Sequence, residues 1–354
     1  MAKILFGVAG EGFGHATRAE VVIRYLQERG HKVKVITYYK GYQELSRHPD
    51  IKTIKVFGLR FGHKEGKTSY WRTVLVNLKR TRQAKNSFFR VKKLIKKFKP
   101  DLVITDLEPW SSLFATLYKI PLISIDNQHR INRGKLEIKN KWLANYLLNK
   151  IGVSTIAPRA EAYIIITFFK FKVTKPKTYL VPPVLRPEIL QAIPQTGEHI
   201  LVYDTTHSAD IVKILRSVPG QFIIYGHNHS RKMDNCLFRK NDQEKFLQDL
   251  ISARAVIASA GMTLISEALQ LEKPYLALPV AGRIEQLVNA HYLKKLGFGD
   301  YQEQLSSESV KKFLAKLPDY RQNLKHYPKI KNNDKLYKTL DKILSEILST
   351  SAKR

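Results

Sequence analysis

Cysteine is almost missing. Cys236 is the only one in 354 residues, which excludes a disulfide framework and any multi-cysteine metal site, and the expected compartment is the reducing cytosol. Long apolar runs are missing as well. None reaches the ~18–20 residues needed to span a bilayer, and the most hydrophobic stretch, Tyr163 to Phe169, has the length of a strand. The opening MAKILFGVAGEG enters a strand at once and lacks signal-peptide architecture. No Walker A loop, His-Glu-x-x-His or Gly-x-Ser-x-Gly occurs, so the chemistries those motifs carry are set aside. Internal repeats and low-complexity tracts are absent too. Acid is scarce: 30 Asp and Glu stand against 61 Lys and Arg, a formal charge of +31. Such an excess implies a polyanionic neighbour, either nucleic acid or an anionic membrane face, or else a generally basic cellular background. The apolar fraction is that of a globular protein, and the length suits two domains.

The most informative stretch runs from Val256 to Gly299. Val256-Ile257-Ala258 reads as a short strand broken by Ser259-Ala260-Gly261, and a helical pattern starts near Met262 and Thr263. Small residues leave that helix start open, so its N–H groups and positive dipole end can hold an anion. Glu267, further along the helix, can accept two adjacent hydroxyls. Pro274 restarts the chain, Tyr275 to Leu278 read as a buried strand, and Arg283, Glu285 and Gln286 sit at the start of the next helix. An anion site, a diol acceptor and a polar pair on successive loops fit a nucleotide diphosphate sugar.

This stretch resembles the donor-binding motif of GT-B glycosyltransferases, in the group of MurG (the lipid II GlcNAc transferase) and the UDP-glycosyltransferases. The matching residues are Ser259-Ala260-Gly261, Glu267, Lys273-Pro274-Tyr275-Leu276, Pro279, Glu285-Gln286, Asn289-Ala290 and Gly297-Phe298-Gly299, in order and at spacing. The resemblance implies a donor site formed by Ser259, Gly261, Met262, Thr263, Glu267, Arg283, Glu285 and Gln286. Asp-x-Asp, the metal-diphosphate clamp of the other glycosyltransferase fold, is missing. Its nearest approximation is Asp106-Leu107-Glu108.

At the other end, Lys3 to Ala9 is an apolar strand running into Gly10-Glu11-Gly12-Phe13-Gly14-His15. A helix with Ala19, Val22, Ile23 and Leu26 inward follows and stops at Gly30, and Val33 to Thr37 is the next strand. This opening is Rossmann-like, but it fails as a dinucleotide fingerprint. His15 replaces the third glycine, and Thr37-Tyr38-Tyr39 offers no acid for a ribose. In the resembled group a Gly-rich loop ends in His at this position, and the UDP-glycosyltransferases place their catalytic His there. The same family's Pro-Asp-x-x-x-x-Asp strand matches Pro100 to Asp106, which implies that Asp106 orients His15. Leu107-Glu108-Pro109-Trp110 departs from that family's usual run. Gly12, Gly14, Asn127 and His129 are expected on the acceptor side.

Thr53 to Phe57 reads as a third strand, and a helix is expected from Trp71 to Lys99. From Lys79 onward this segment carries ten basic residues, and no acid occurs between Glu65 and Asp101. Phe88, Val91, Leu94, Ile95 and Phe98 keep helical spacing. The stripe is expected to be core while the charge acts at a distance on a membrane surface. Pro182 to Pro187 is the clearest linker. After it, Ile200 to Tyr203 is a strand ending in Asp204-Thr205-Thr206, whose hydroxyls suit donor phosphates. His227-Asn228-His229 lacks a third ligand at motif spacing for a metal.

The expected fold is therefore α/β of the GT-B type, two Rossmann-like domains facing across a cleft. Residues 1–183 form the acceptor-side domain and 184–335 the donor domain, and a helix at 336–354 returns to the first. The expected enzyme is an inverting, metal-independent glycosyltransferase that needs no cofactor, since the nucleotide sugar is a substrate. Its partners are a nucleotide-sugar donor, UDP-linked, a lipid-linked or cell-envelope acceptor and an anionic membrane surface. No specific nucleic acid is expected, and the location is cytoplasmic, at the membrane face. A sugar-nucleotide epimerase on the same fold and a non-catalytic nucleic-acid binder are the alternatives. The second lacks any RNA-binding motif or aromatic stacking platform.

Overall fold

Two seven-stranded sheets organise the chain. The computed structural model describes residues 1–58, 62–64, 67–69, 80–204 and 209–351. One compact unit holds most of the first 186 residues together with the chain from Asn332 onward, and the other is built on Pro187–Lys331.

In the first unit, β1 (Lys3–Val8) leads through α1 (Phe13–Glu28) to β2 (Lys32–Thr37), and α2 (Tyr39–Leu45) leads to β3 (Thr53–Lys55). The ribbon of β4 (Gly62–Lys64) and β5 (Lys67–Ser69) precedes α3 (Thr81–Phe98). Then come β6 (Leu102–Asp106), α4 (Pro109–Leu117), β7 (Leu122–Asp126), the single turn α5 (Arg130–Arg133) and β8 (Gly134–Lys135). The set closes with α6 (Leu143–Thr155), β9 (Ala162–Ile166), β10 (Lys172–Val173) and β11 (Thr178–Val181). The main sheet runs β11-β9-β7-β6-β1-β2-β3, all parallel. Its central strands are buried along their length, as a parallel sheet covered on both faces requires. One face packs on α1 through Ala16, Ala19, Val22, Ile23 and Leu26, and the other on α3 and α4 through Val91, Ile95, Phe114 and Ala115. The chain reverses its direction of travel across the sheet between β1 and β6. Parallel α/β sheets hold ligands outside the strand ends at such a point.

In the second unit, α7 (Pro187–Leu190) precedes β12 (His199–Tyr203), α8 (Ala209–Arg216), β13 (Gln221–Tyr225), β14 (Arg231–Met233) and β15 (Cys236–Phe238). Next are α9 (Gln243–Ser252), β16 (Ala255–Ala258), α10 (Met262–Gln270), β17 (Tyr275–Ala277), α11 (Ile284–Lys295) and β18 (Gly299–Tyr301), then α12 (Ser307–Ala315) and α13 (Leu317–Leu324). The order β14-β15-β13-β12-β16-β17-β18 is parallel except for the edge strand β14, and its switch point lies between β12 and β16. Gly226, at φ +110, lets the chain leave β13 where a Cβ would lie 1.9 Å from the Asp204 carbonyl oxygen.

The last helix, α14 (Asp334–Ser351), packs in the first unit, where Leu336, Leu340, Ile343 and Leu344 join its core. Tyr337 stacks on Tyr25 at 3.8 Å, and the Tyr25 hydroxyl donates to Asp341 at 2.6 Å. Asn333 ties the returning chain to the proline-rich segment: its Oδ1 accepts from Leu185 N at 3.1 Å, and its Nδ2 donates to Leu185 O at 2.8 Å.

Two expectations change in detail. The third strand ends at Lys55. The basic helix is seen from Thr81 to Phe98, and its earlier part, Trp71 to Lys79, lies outside the described residues. After β18 the chain forms two helices, α12 and α13, with Pro318 in the first turn of the second.

Candidate active site

The carboxyl ends of the central strands of the first sheet gather one tight polar cluster. Gly12 is the N-cap of α1, Gly14 lies in the first turn, and His15 follows. Register pairs Val8 with Asp106, so the carboxylate ending β6 emerges beside the loop that leaves β1. His15 Nδ1 lies 3.0 Å from Asp106 Oδ1. The His15 side chain is 18% exposed and Asp106 is buried, so the ring reaches the surface while its partner stays inside.

Sequence reasoning missed the third member. Arg18, buried on the same helix, grips Asp106 with Nε to Oδ2 at 2.7 Å and Nη2 to Oδ1 at 2.5 Å. Its Nη1 reaches Asn127 Oδ1 at 3.4 Å, and its Nη2 lies 2.7 Å from His15 Nδ1. Burial alone would raise the Asp106 pKa, but the Arg18 and His15 charges outweigh it and hold the carboxyl below its usual range. Asp106 is therefore a fixed anion. Carboxylate and guanidinium address the same ring nitrogen of His15, and which of them prevails sets the nitrogen that carries the proton. A signal for Arg18 existed: it falls one turn after His15, among alanines and valines of a buried helix face, where a guanidinium needs a counter-charge.

Glu108 follows Asp106 and does different work. Its carboxylate caps α4, accepting from Trp110 N at 3.0 Å and Ser111 N at 2.6 Å. Complete burial lifts its pKa to about 7 against those hydrogen bonds. His129 is committed to the fold. It is buried, with Nδ1 2.6 Å from Asp126 Oδ2 and Nε2 2.9 Å from the Ile156 carbonyl oxygen. Both nitrogens face acceptors; burial opposes the charged ring, but Asp126 and the carbonyl raise its pKa. Asn127, by contrast, joins the Arg18 cluster.

In the second unit the loop after β16 is pinned from two sides. The Tyr275 hydroxyl donates to Ser259 O at 2.7 Å, and Asn289 Nδ2 donates to Ala260 O at 2.8 Å. Gly261 is the N-cap of α10 and brings no side chain to the helix start; a Cβ there would meet nothing within 4 Å. Ser259, Gly261 and Thr263 are half-exposed, while Met262 and Glu267 are buried. Arg283 is the N-cap of α11. Glu285 Oε1 accepts from Asn289 Nδ2 at 2.8 Å, so one asparagine joins the two helix starts. Gln286 Oε1 accepts from Val280 N at 2.9 Å and shapes the loop before α11. Thr205 and Thr206 lie outside the described residues. Asp204, buried at the end of β12, holds His227 Nε2 at 2.9 Å, and the His227 ring stacks on His229. Among the described residues, no group of three His, Cys, Asp or Glu is placed to hold a metal ion.

A model of glycosyl transferase family 1 matches residues 2–318. An uncharacterised glycosyltransferase of Methanosarcina mazei is 26% identical, with 99% of this chain and 98% of that protein aligned. The UDP-N-acetylglucosamine--N-acetylmuramyl-(pentapeptide) pyrophosphoryl-undecaprenol N-acetylglucosamine transferase of Lachnospira eligens is 25% identical over 99% of this chain and its own full length (100%). Among solved structures, the spinosyn forosaminyltransferase SpnP superposes with a TM-score of 0.66 at 14% identity, covering 97% of this chain and 99% of that one. At that identity the likeness speaks for the fold, which is GT-B.

Proposed function

The chain belongs to glycosyl transferase family 1, and we propose that it moves a sugar from a UDP-linked donor to a hydroxyl of a lipid-linked, cell-envelope acceptor, with inversion. The observation that carries this reading is the partly exposed His15 ring backed by the buried anion Asp106. An acceptor hydroxyl must lose its proton as it attacks the anomeric carbon. With Nδ1–H turned to Asp106, His15 Nε2 is free to take that proton. The new C–O bond forms as the bond to the diphosphate breaks, and the electron pair leaves with the diphosphate. The N-terminus of α10, at Gly261, Met262 and Thr263, is suited to receive that charge. Glu267 would hold the ribose hydroxyls, and Glu285 and Gln286 the sugar.

The acceptor assignment is supported by charge and by kinship. The apolar stripe of α3, through Val91, Ile95 and Phe98, is buried in the core, while Lys85, Arg90, Lys92, Lys93, Lys96 and Lys97 ride on the same helix. Each basic residue near an anionic bilayer contributes about 1 kcal/mol, fading within a Debye length. The Lachnospira relative is named for a pyrophosphoryl-undecaprenol acceptor. No helix among the described residues is long and apolar enough to cross a membrane, so this reading makes the contact peripheral, on the cytoplasmic face.

A thermal-shift panel of UDP, GDP, dTDP and ADP with their sugars tests the donor. A ligand of the native state raises stability by mass action, about 2.7 kcal/mol at a hundred times its Kd. UDP and UDP-sugars are expected to give the largest shift, and a larger shift with another nucleotide would reassign the donor.

A further inference from the structure

The face of α6 is the feature that neither the fold nor the sugar chemistry uses. Of its thirteen residues only Val153 is buried. Leu143 (49%), Leu147 (49%), Leu148 (53%) and Ile151 (66%) are all exposed. At 100° per residue these four side chains fall within one sector of about 140°, with the exposed Ala144 inside it, and the sector turns polar only in the last turn, at Ser154 and Thr155. A soluble helix normally turns its apolar sector inward, and here it points to water. Scattered surface leucines need no explanation, but a contiguous strip marks an interaction surface.

What surrounds the strip selects its occupant. No acid occurs between Glu137 and Glu161, while Lys139, Lys141, Lys150 and Arg159 do. Lys139 and Lys141 lie over the Trp142 ring at 5.3 and 5.9 Å, at the entrance to the helix. An apolar sector with lysines at its border is the pattern of a helix lying in a membrane interface, its leucines among acyl chains and its ammonium groups among headgroup phosphates. A second copy of the chain fits less well. A two-fold contact would set the same lysines against each other in a low-dielectric seam.

From this exposure and this charge we infer that α6 docks on an anionic lipid surface and inserts Leu143, Leu147, Leu148 and Ile151 into it. The inference deepens the membrane reading above and moves its apolar contact from α3, whose stripe is core, to α6. It also separates two kinds of binding. The lysines of α3 act at long range and are screened by salt, whereas the α6 leucines act only in contact and resist salt.

The test uses the full chain and vesicles of phosphatidylglycerol with phosphatidylcholine, or of phosphatidylcholine alone. Cys236 is buried, so in a Cys236→Ala background an environment-sensitive fluorophore can be attached at Ile151→Cys, or at Glu308→Cys on α12 as a control. The probe at position 151 should shift to the blue on anionic vesicles and not on neutral ones, and the probe at 308 should not shift. Leu147→Gln with Ile151→Gln should lower the partition coefficient at least tenfold and abolish the binding that survives high salt. Binding that persists with a water-like probe at 151 would overturn the assignment of α6 and leave a purely electrostatic membrane contact. No binding to either vesicle would overturn both. A blue shift that appears without vesicles and grows with protein concentration would assign the face to a second copy and overturn the lipid proposal. None of these outcomes depends on the sugar donor, whose binding is measured separately.

Discussion

Arg18 and Asp106 form a two-pronged buried ion pair, Nε to Oδ2 and Nη2 to Oδ1, within the cluster that contains His15. Asp106 consequently faces two partners, the His15 imidazole and a buried guanidinium whose charge it neutralises.

Replacing Asp106 should therefore do more than slow a reaction. Asp106→Ala leaves the Arg18 charge buried without its counter-ion, and breaking such a pair costs about 3–5 kcal/mol. Arg18→Met combined with Asp106→Leu should recover most of that loss, because both charges leave together. Urea denaturation of the single and double variants reads the coupling. Additive losses would mean that the pair is not a unit. Nitrogen-15 NMR of the His15 ring should also report the competition: Arg18→Met is expected to raise the fraction with the proton on Nδ1, facing Asp106.

Gly261 offers a cleaner probe of the proposed donor site than Glu267, which is buried. Its φ of −71° suits any residue, and an added Cβ meets nothing within 4 Å, so nothing in the protein itself requires glycine there. Gly261→Ala should change stability by no more than about 1 kcal/mol, because alanine's smaller unfolded-state entropy is offset by its poorer fit at an N-cap. Affinity for UDP should nevertheless fall about tenfold, or ~1.4 kcal/mol, because a methyl group intrudes where a phosphate approaches the helix N–H groups. Calorimetry with UDP decides it, and unchanged affinity would remove the start of α10 from the site.

Glu108 predicts a pH dependence of stability. Its pKa is raised by burial to about 7 in the folded protein, against about 4.3 for a free glutamate. Between those values the folded state holds a proton that the unfolded chain has lost. This contribution is therefore complete below the ordinary glutamate range and is lost as pH rises towards 7. Glu108→Gln should flatten the decline over pH 5–7 in denaturation midpoints. A midpoint that keeps the wild-type slope in this variant would trace the decline to another group.

The parallel sheets were legible because their strands are short apolar runs alternating with helical periodicity, bounded by glycine and proline. The loops after β1, β6 and β16 were legible because small or polar residues interrupt that pattern at strand ends. Arg18 was legible only in part: its place on the alanine- and valine-rich face of α1 implies a buried counter-charge, but only the strand register that brings Asp106 beside α1 says which acid supplies it. His129 shows the converse. From sequence it is a loop histidine after a strand, and only the fold brings Asp126 and the Ile156 carbonyl to its two nitrogens.

The most direct test is turnover of His15→Ala, read as UDP released from a UDP-sugar in the presence of a membrane lipid extract. The account predicts a loss of about 10²–10⁴-fold, with UDP affinity and thermal stability unchanged. Full turnover in that variant would contradict it.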